Sequence, residues 1–91
     1  MIVELSDEAL RDVGRLREWL GGKDSNAAVR AGRVLAEAFR SLRRFPNRGR
    51  PLGVGLRERP VRFGRYGYVI RYEVREDRVI VTRVFHALED R

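Results

Sequence analysis

Ninety-one residues without a cysteine make one domain, residues 1–91, and exclude disulfide staples and thiolate metal sites. A single histidine argues against structural zinc, and no apolar run approaches membrane-spanning length, so a soluble cytoplasmic protein without cofactor is expected. The net charge of +7 is unevenly placed: residues 1–42 balance seven basic against seven acidic side chains, whereas residues 43–91 carry thirteen against six. That asymmetry points to an acidic partner, nucleic acid or protein, although nineteen of the twenty basic residues are arginine, which a coding bias would also produce.

Met1 to Leu5 is a short apolar run that reads as an edge strand. Ser6 is a good N-cap, and Asp7 and Glu8 follow where a helix dipole favours negative charge. Ala9, Val13, Leu16 and Leu20 recur at helical spacing, flanked by Leu10 and Trp19, and Trp19 is read as a core anchor. Gly21 and Gly22 break the pattern, and Asp24 or Ser25 caps a second helix. That helix carries Ala28, Ala31, Leu35, Ala38, Phe39 and Leu42 on one side and is closed by Pro46. The two helices should form an antiparallel hairpin across a sheet.

Asn47 to Gly55 reads as an exposed, glycine-rich loop. It is not a phosphate cradle, because no lysine–serine pair follows and the next element is a strand. Leu56 to Val84 then holds three runs rich in β-branched and aromatic residues, separated by two polar breaks, which predicts three hairpin-connected strands. Pro60 requires a free side or a bulge in the first of them. In the middle run Tyr68, Ile70, Tyr72 and Val74 alternate with Val69, Arg71 and Glu73, so one face is apolar and must be covered. Residues 85–91 are read as too short for another element. The fold class is α+β, in the order β-α-α-β-β-β, with the helical hairpin on one face of a small, mainly antiparallel sheet.

The uncovered face is the candidate site, expected to carry Arg57, Arg59, Arg71 and Arg83. Arginines on adjacent strands repel unless an anion, or Glu58 and Glu73, sits among them, which favours a binding role over a merely solvated surface. Arg71 and Arg83 are expected to be removable without loss of folding. His86 is the only side chain suited to proton transfer near neutral pH. Its plainer role is to hydrogen-bond backbone where the last strand ends.

The ordered segments Ala9-Leu10-Arg11-Asp12-Val13, Trp19-Leu20, Asn26-Ala27-Ala28, Leu42, Pro46 and Gly49-Arg50-Pro51 resemble the N-terminal half of ParE-type toxins of type II toxin–antitoxin systems. Leu56-Arg57-Glu58, Gly67 through Val74, Val79-Ile80-Val81 and Val84-Phe85-His86 are similar to the sheet of the wider RelE/ParE superfamily. The resemblance implies a toxin neutralised by a cognate antitoxin, whose amphipathic acidic helix would cover the toxin's grooves. It also implies one of two targets. ParE-type members inhibit DNA gyrase by binding, with Arg57, Arg59, Arg62, Arg71, Arg83 and His86 as the target-binding candidates here. RelE-type members cut messenger RNA on the ribosome with basic side chains and a C-terminal tyrosine or histidine, which would assign catalysis to Arg62, Arg71 and His86. Two RelE positions are not kept: Val69 and Ala87 stand where that pattern has arginine, and no tyrosine follows His86. The gyrase reading is therefore preferred, with no catalytic residues.

Overall fold

The computed structural model describes residues 1–91. Seven elements follow in order: β1 (Ile2–Leu5), α1 (Asp7–Gly21), α2 (Ser25–Arg44), β2 (Arg50–Gly53), β3 (Leu56–Val61), β4 (Tyr68–Val74) and β5 (Arg78–His86). The strands form one sheet in the order β1-β5-β4-β3-β2. Only the β1–β5 pair is parallel, and α1 and α2 form the crossover between β1 and the rest of the chain.

The helix starts obey local capping chemistry. Ser6 Oγ accepts from the Ala9 amide at 3.1 Å, and an Asp24 carboxylate oxygen accepts from the Ala27 amide at 3.1 Å. Each satisfies one of the amide groups that a first helical turn leaves unpaired. Ala9 and Leu16 from α1, and Ala31, Leu35, Ala38 and Leu42 from α2, pack on Ile70, Tyr72, Val79, Val81 and Val84 of the sheet. The alanines let the helix backbones come close to the strands, where larger side chains would hold them off.

Three expectations need correction. Asn47 to Gly55 is not wholly a loop, because Arg50–Gly53 adds β2 to the sheet edge opposite Glu58, Arg57 and Leu56. The composition of that stretch hides the strand, since pairing with β3 supplies what propensity lacks. Phe85 and His86 belong to β5, which is nine residues long. Trp19 is 59% exposed and lies at the rim of the helical stripe, outside the core. By contrast, Pro60 meets its requirement: β2 ends opposite Glu58, so the side of β3 beyond it carries no partner strand.

The loop before β2 is tied down by Tyr72. Its fully buried ring carries a hydroxyl that donates to the Pro46 carbonyl and accepts from the Gly49 amide, both at 2.8 Å. A Cβ at Gly49 would lie 2.6 Å from that hydroxyl, so the close approach requires glycine there.

Candidate target-binding face

The face of the sheet turned away from the helices is set by register. Glu58, Arg71 and Arg83 lie in one row across β3, β4 and β5, and Pro60, Val69 and Phe85 form the next. The position of Arg83 depends on a bulge. Arg71 faces Arg83, but Tyr72 faces Val81, so Thr82 is the extra residue on β5. Without it, Arg83 would share the side of Val79 and Val81; with it, Val84 turns into the core and Arg83 turns out. Thr82 Oγ1 donates to the Arg71 carbonyl at 3.2 Å across this irregularity.

Two buried carboxylates hold the arginines of this face. Glu58, 3% exposed, accepts from Arg71 at 3.0 Å, Arg50 at 3.1 Å and Arg91 at 3.4 Å. Asp12, 5% exposed, accepts from Arg83 Nε at 2.8 Å and from the Val84 amide at 2.8 Å. The guanidiniums of Arg71 and Arg83 then close over the buried Phe85 ring, 5.1 and 4.8 Å from its centroid. Each such contact is worth about 0.5–2 kcal/mol. The mutual repulsion of the two arginines is thus relieved at both ends, by Glu58 and by Asp12, while Glu73 pairs with Arg75 instead.

Asp12 acts from α1 because β5 outlasts β1. Pairing with β1 ends at Val81, and beyond it the start of α1 serves as a substitute neighbour. The Ser6 amide donates to the Val81 carbonyl, Ser6 Oγ donates to the Thr82 carbonyl, and Asp12 takes the Val84 amide. A backbone amide that would otherwise be buried unpaired is satisfied. The sequence carried a signal for this: Asp12 lies between Ala9 and Leu16 on the buried stripe of α1, where a charged residue requires a partner.

Burial pushes the Asp12 carboxyl up, but the hydrogen bonds from Arg83 and Val84 and the charges of Arg83 and Arg15 outweigh it. The net result lies below the ordinary 3.8. Glu58 behaves alike: burial raises it, and hydrogen bonds from Arg91, Arg71 and Arg50 with the Arg91 charge bring it below 4.5. These carboxyls bind fewer protons folded than unfolded, so their contribution is complete above the ordinary values and lost as the pH falls through the lower folded ones. The urea midpoint is expected to hold from pH 7 to about pH 5 and to drop progressively below pH 4.5. A midpoint unchanged at pH 3 would show that neither pair persists in solution.

The six sequence-derived residues do not gather. Arg71 and Arg83 occupy the open face as expected. Arg57 and Arg59 do not: they lie opposite Tyr72 and Ile70, on the side of the helices. The turn of residues 62–67 sets this register, in which Val61 meets Tyr68, and inward alternation along β3 then falls on odd numbers. Arg57 donates to the carbonyls of Asn47 and Gly49, at 3.1 and 2.7 Å, and so clamps the loop before β2. Arg59 lines a cleft beneath α2, and Arg62 lies exposed in the turn after β3. His86 lies opposite Tyr68 and hence on the other side of the sheet from Arg71. It is surrounded by the rings of Trp19, Tyr66 and Tyr68, at 6.3, 6.2 and 6.0 Å, and its Nδ1 accepts from the Leu88 amide at 3.2 Å.

The segment after β5 reaches back to the open face. The Ala87 amide donates to the Gly67 carbonyl, Arg15 forms a two-pronged pair with Glu89 at 3.0 and 3.2 Å, and Arg91 arrives at Glu58. The resulting face is a platform of paired arginines on an aromatic floor, with each carboxylate saturated by guanidinium. It is suited to contacting a macromolecule. It presents no unpaired acid or base beside Arg71.

Comparison with known proteins agrees with this architecture. Residues 3–91 match the family described as the ParE toxin of the type II toxin–antitoxin system parDE. The chain is 45% identical over 89 residues to Toxin RelE1 of Caulobacter vibrioides, covering 98% of this chain and 96% of the relative. It is 38% identical over 89 residues to Toxin RelE3 of the same organism, covering 98% and 97%. A solved structure titled "Chromosomal ParDE TA system from P. aeruginosa" shares the fold, with a TM-score of 0.77, 15% identity and coverage of 96% of both chains. The chain belongs to the ParE toxin family within the RelE/ParE superfamily, and is the toxin component of a type II toxin–antitoxin system, a family that implies a cognate antitoxin as partner.

Proposed function

We propose that this toxin acts by binding DNA gyrase and blocking its turnover, without catalysing a reaction of its own, until the antitoxin captures it. The observation that carries the reading is the placement of Arg71 and His86 on opposite faces of the sheet. Cleavage of RNA needs a group to activate the 2′-hydroxyl within hydrogen-bond reach of the same phosphate that a cation stabilises. Arg62, Arg71 and His86 do not supply that set together, and Val69 lies on the open face beside Arg71 in place of an arginine. Binding asks only for a shaped, charged surface, and arginines held over an aromatic ring are frequent centres of such contacts.

Purified toxin is expected to inhibit gyrase supercoiling and to leave messenger RNA intact on programmed ribosomes. Arg71→Ala should raise the half-inhibitory concentration at least tenfold, as loss of a central contact worth about 2 kcal/mol would. Folding is retained in that variant, because Glu58 keeps Arg50 and Arg91. Cut message with normal supercoiling would instead assign the activity to the ribosome, a result the RelE names of the curated relatives make worth testing in parallel.

A further inference from the structure

A second basic surface lies on the opposite side of the molecule from Arg71. On α2, Arg30, Arg33, Arg40 and Arg44 are spaced by three, seven and four residues, which places them on one exposed stripe. From first to last the stripe runs about 21 Å at 1.5 Å per residue. Its acidic member, Glu37, is taken by Arg40 at 2.9 Å, which leaves the stripe strongly positive. Beneath it, between α2 and β3, opens a cleft into which Arg48 and Arg59 bring two more guanidiniums. Arg59 is the telling residue. Its Nε is buried and has no hydrogen-bond partner, and no carboxylate lies within salt-bridge distance of Arg33, Arg48 or Arg59. The Nε of Arg71 is likewise unpartnered, but there Glu58 takes the terminal nitrogen, and Arg83 meets Asp12; a cleft that gathers Arg33, Arg48 and Arg59 with no ion-pair partner for any of them is prepared for an anion from outside.

We propose that this stripe and cleft form a binding track for a nucleic-acid phosphodiester backbone. Length favours an extended polyanion over a single small ion: 21 Å of duplex presents about six phosphates per strand. Side-chain type favours phosphate over an acidic peptide, because the stripe is arginine throughout, and planar guanidiniums match phosphate oxygens in two-pronged pairs. Three of the nine residues lining the cleft are apolar, Val34, Ala38 and Val61, and the other six are polar or charged, which suits a polyanion better than the apolar side of an amphipathic helix. The track goes beyond the gyrase reading and does not depend on it, since both candidate targets carry nucleic acid.

The test is fluorescence anisotropy of the whole toxin with a short labelled duplex DNA and a single-stranded RNA, titrated with salt, in the absence of gyrase and ribosomes. Arg33→Gln/Arg59→Gln should weaken binding roughly tenfold or more and lower the slope of log K against log salt by about two, one for each lost phosphate contact. Arg33→Gln/Arg44→Gln, at exposed positions, should act alike with unchanged thermal melting. Arg11→Gln/Arg75→Gln, away from α2 and with the same loss of charge, should change binding less than twofold. Equal losses in the two pairs of variants would overturn the proposal, because net charge alone would then explain binding. So would tighter binding of polyglutamate than of duplex. Because the assay contains no toxin target, its failure leaves the gyrase reading standing, and the reverse holds.

Discussion

Asp12→Ala is expected to destabilise the fold by about 1–3 kcal/mol, the cost of leaving a buried amide without its acceptor, because the Arg83 side chain is 37% exposed and water can take up part of its charge. The change leaves the Arg83 guanidinium without its main counter-charge and the Val84 amide without an acceptor, on the edge of β5 that β1 no longer covers. Small domains have about 5–15 kcal/mol in total, so the loss is a sizeable fraction of the stability available. Asp12→Asn should fall between, because its amide oxygen can still accept from Val84 while the charge is gone. Asp12→Ala combined with Arg83→Met should recover part of the loss, since no lone charge then remains. Urea denaturation checks all three, and a loss under about 1 kcal/mol for Asp12→Ala would show the site to be solvated. The same logic revises the role of Arg83. Arg83→Ala leaves the buried Asp12 carboxylate with only the Val84 amide and Arg15 at 3.7 Å, and is expected to destabilise the protein, so loss of toxicity in that variant would not by itself report target contact. Arg71→Ala is the informative change on this face.

Gly67→Ala is the second large effect, expected at about 3 kcal/mol or more. Gly67 has φ of +91°, outside the region that residues with a Cβ adopt readily, and an added Cβ would overlap the Val61 carbonyl oxygen. The turn between β3 and β4 would have to open, and with it the register that brings Val61 to Tyr68. The Gly67 carbonyl also accepts from the Ala87 amide, so the segment bearing Glu89 and Arg91 would lose its anchor. Gly64→Ala is the matched control: φ is +59°, and nothing lies within 4 Å of the added Cβ. Its cost should stay near 1 kcal/mol. Denaturation midpoints separate the two variants, and equal values would mean that backbone strain, without the clash, sets the requirement for glycine. Hydrogen exchange at Ala87 should quicken in Gly67→Ala alone.

Local chemistry was enough for the elements themselves. The caps at Ser6 and Asp24, the helical stripes and the alternation of Tyr68, Ile70 and Tyr72 each act over a few residues, so a linear reading recovers them together with the covered face of β4. Family membership was legible too, because it rests on the order of those same segments. Which arginine faces which way was not. That outcome depends on how a six-residue turn sets β3 against β4 and on one extra residue at Thr82, and a shift of one position sends every side chain to the other face. Likewise β2 exists because β3 offers it an edge, and Arg91 meets Glu58 because the chain beyond β5 folds back past Gly67. Residue types decided which elements form and which face must be buried. The partners of each charge were decided by contacts between segments far apart in the chain, whose register no local propensity encodes.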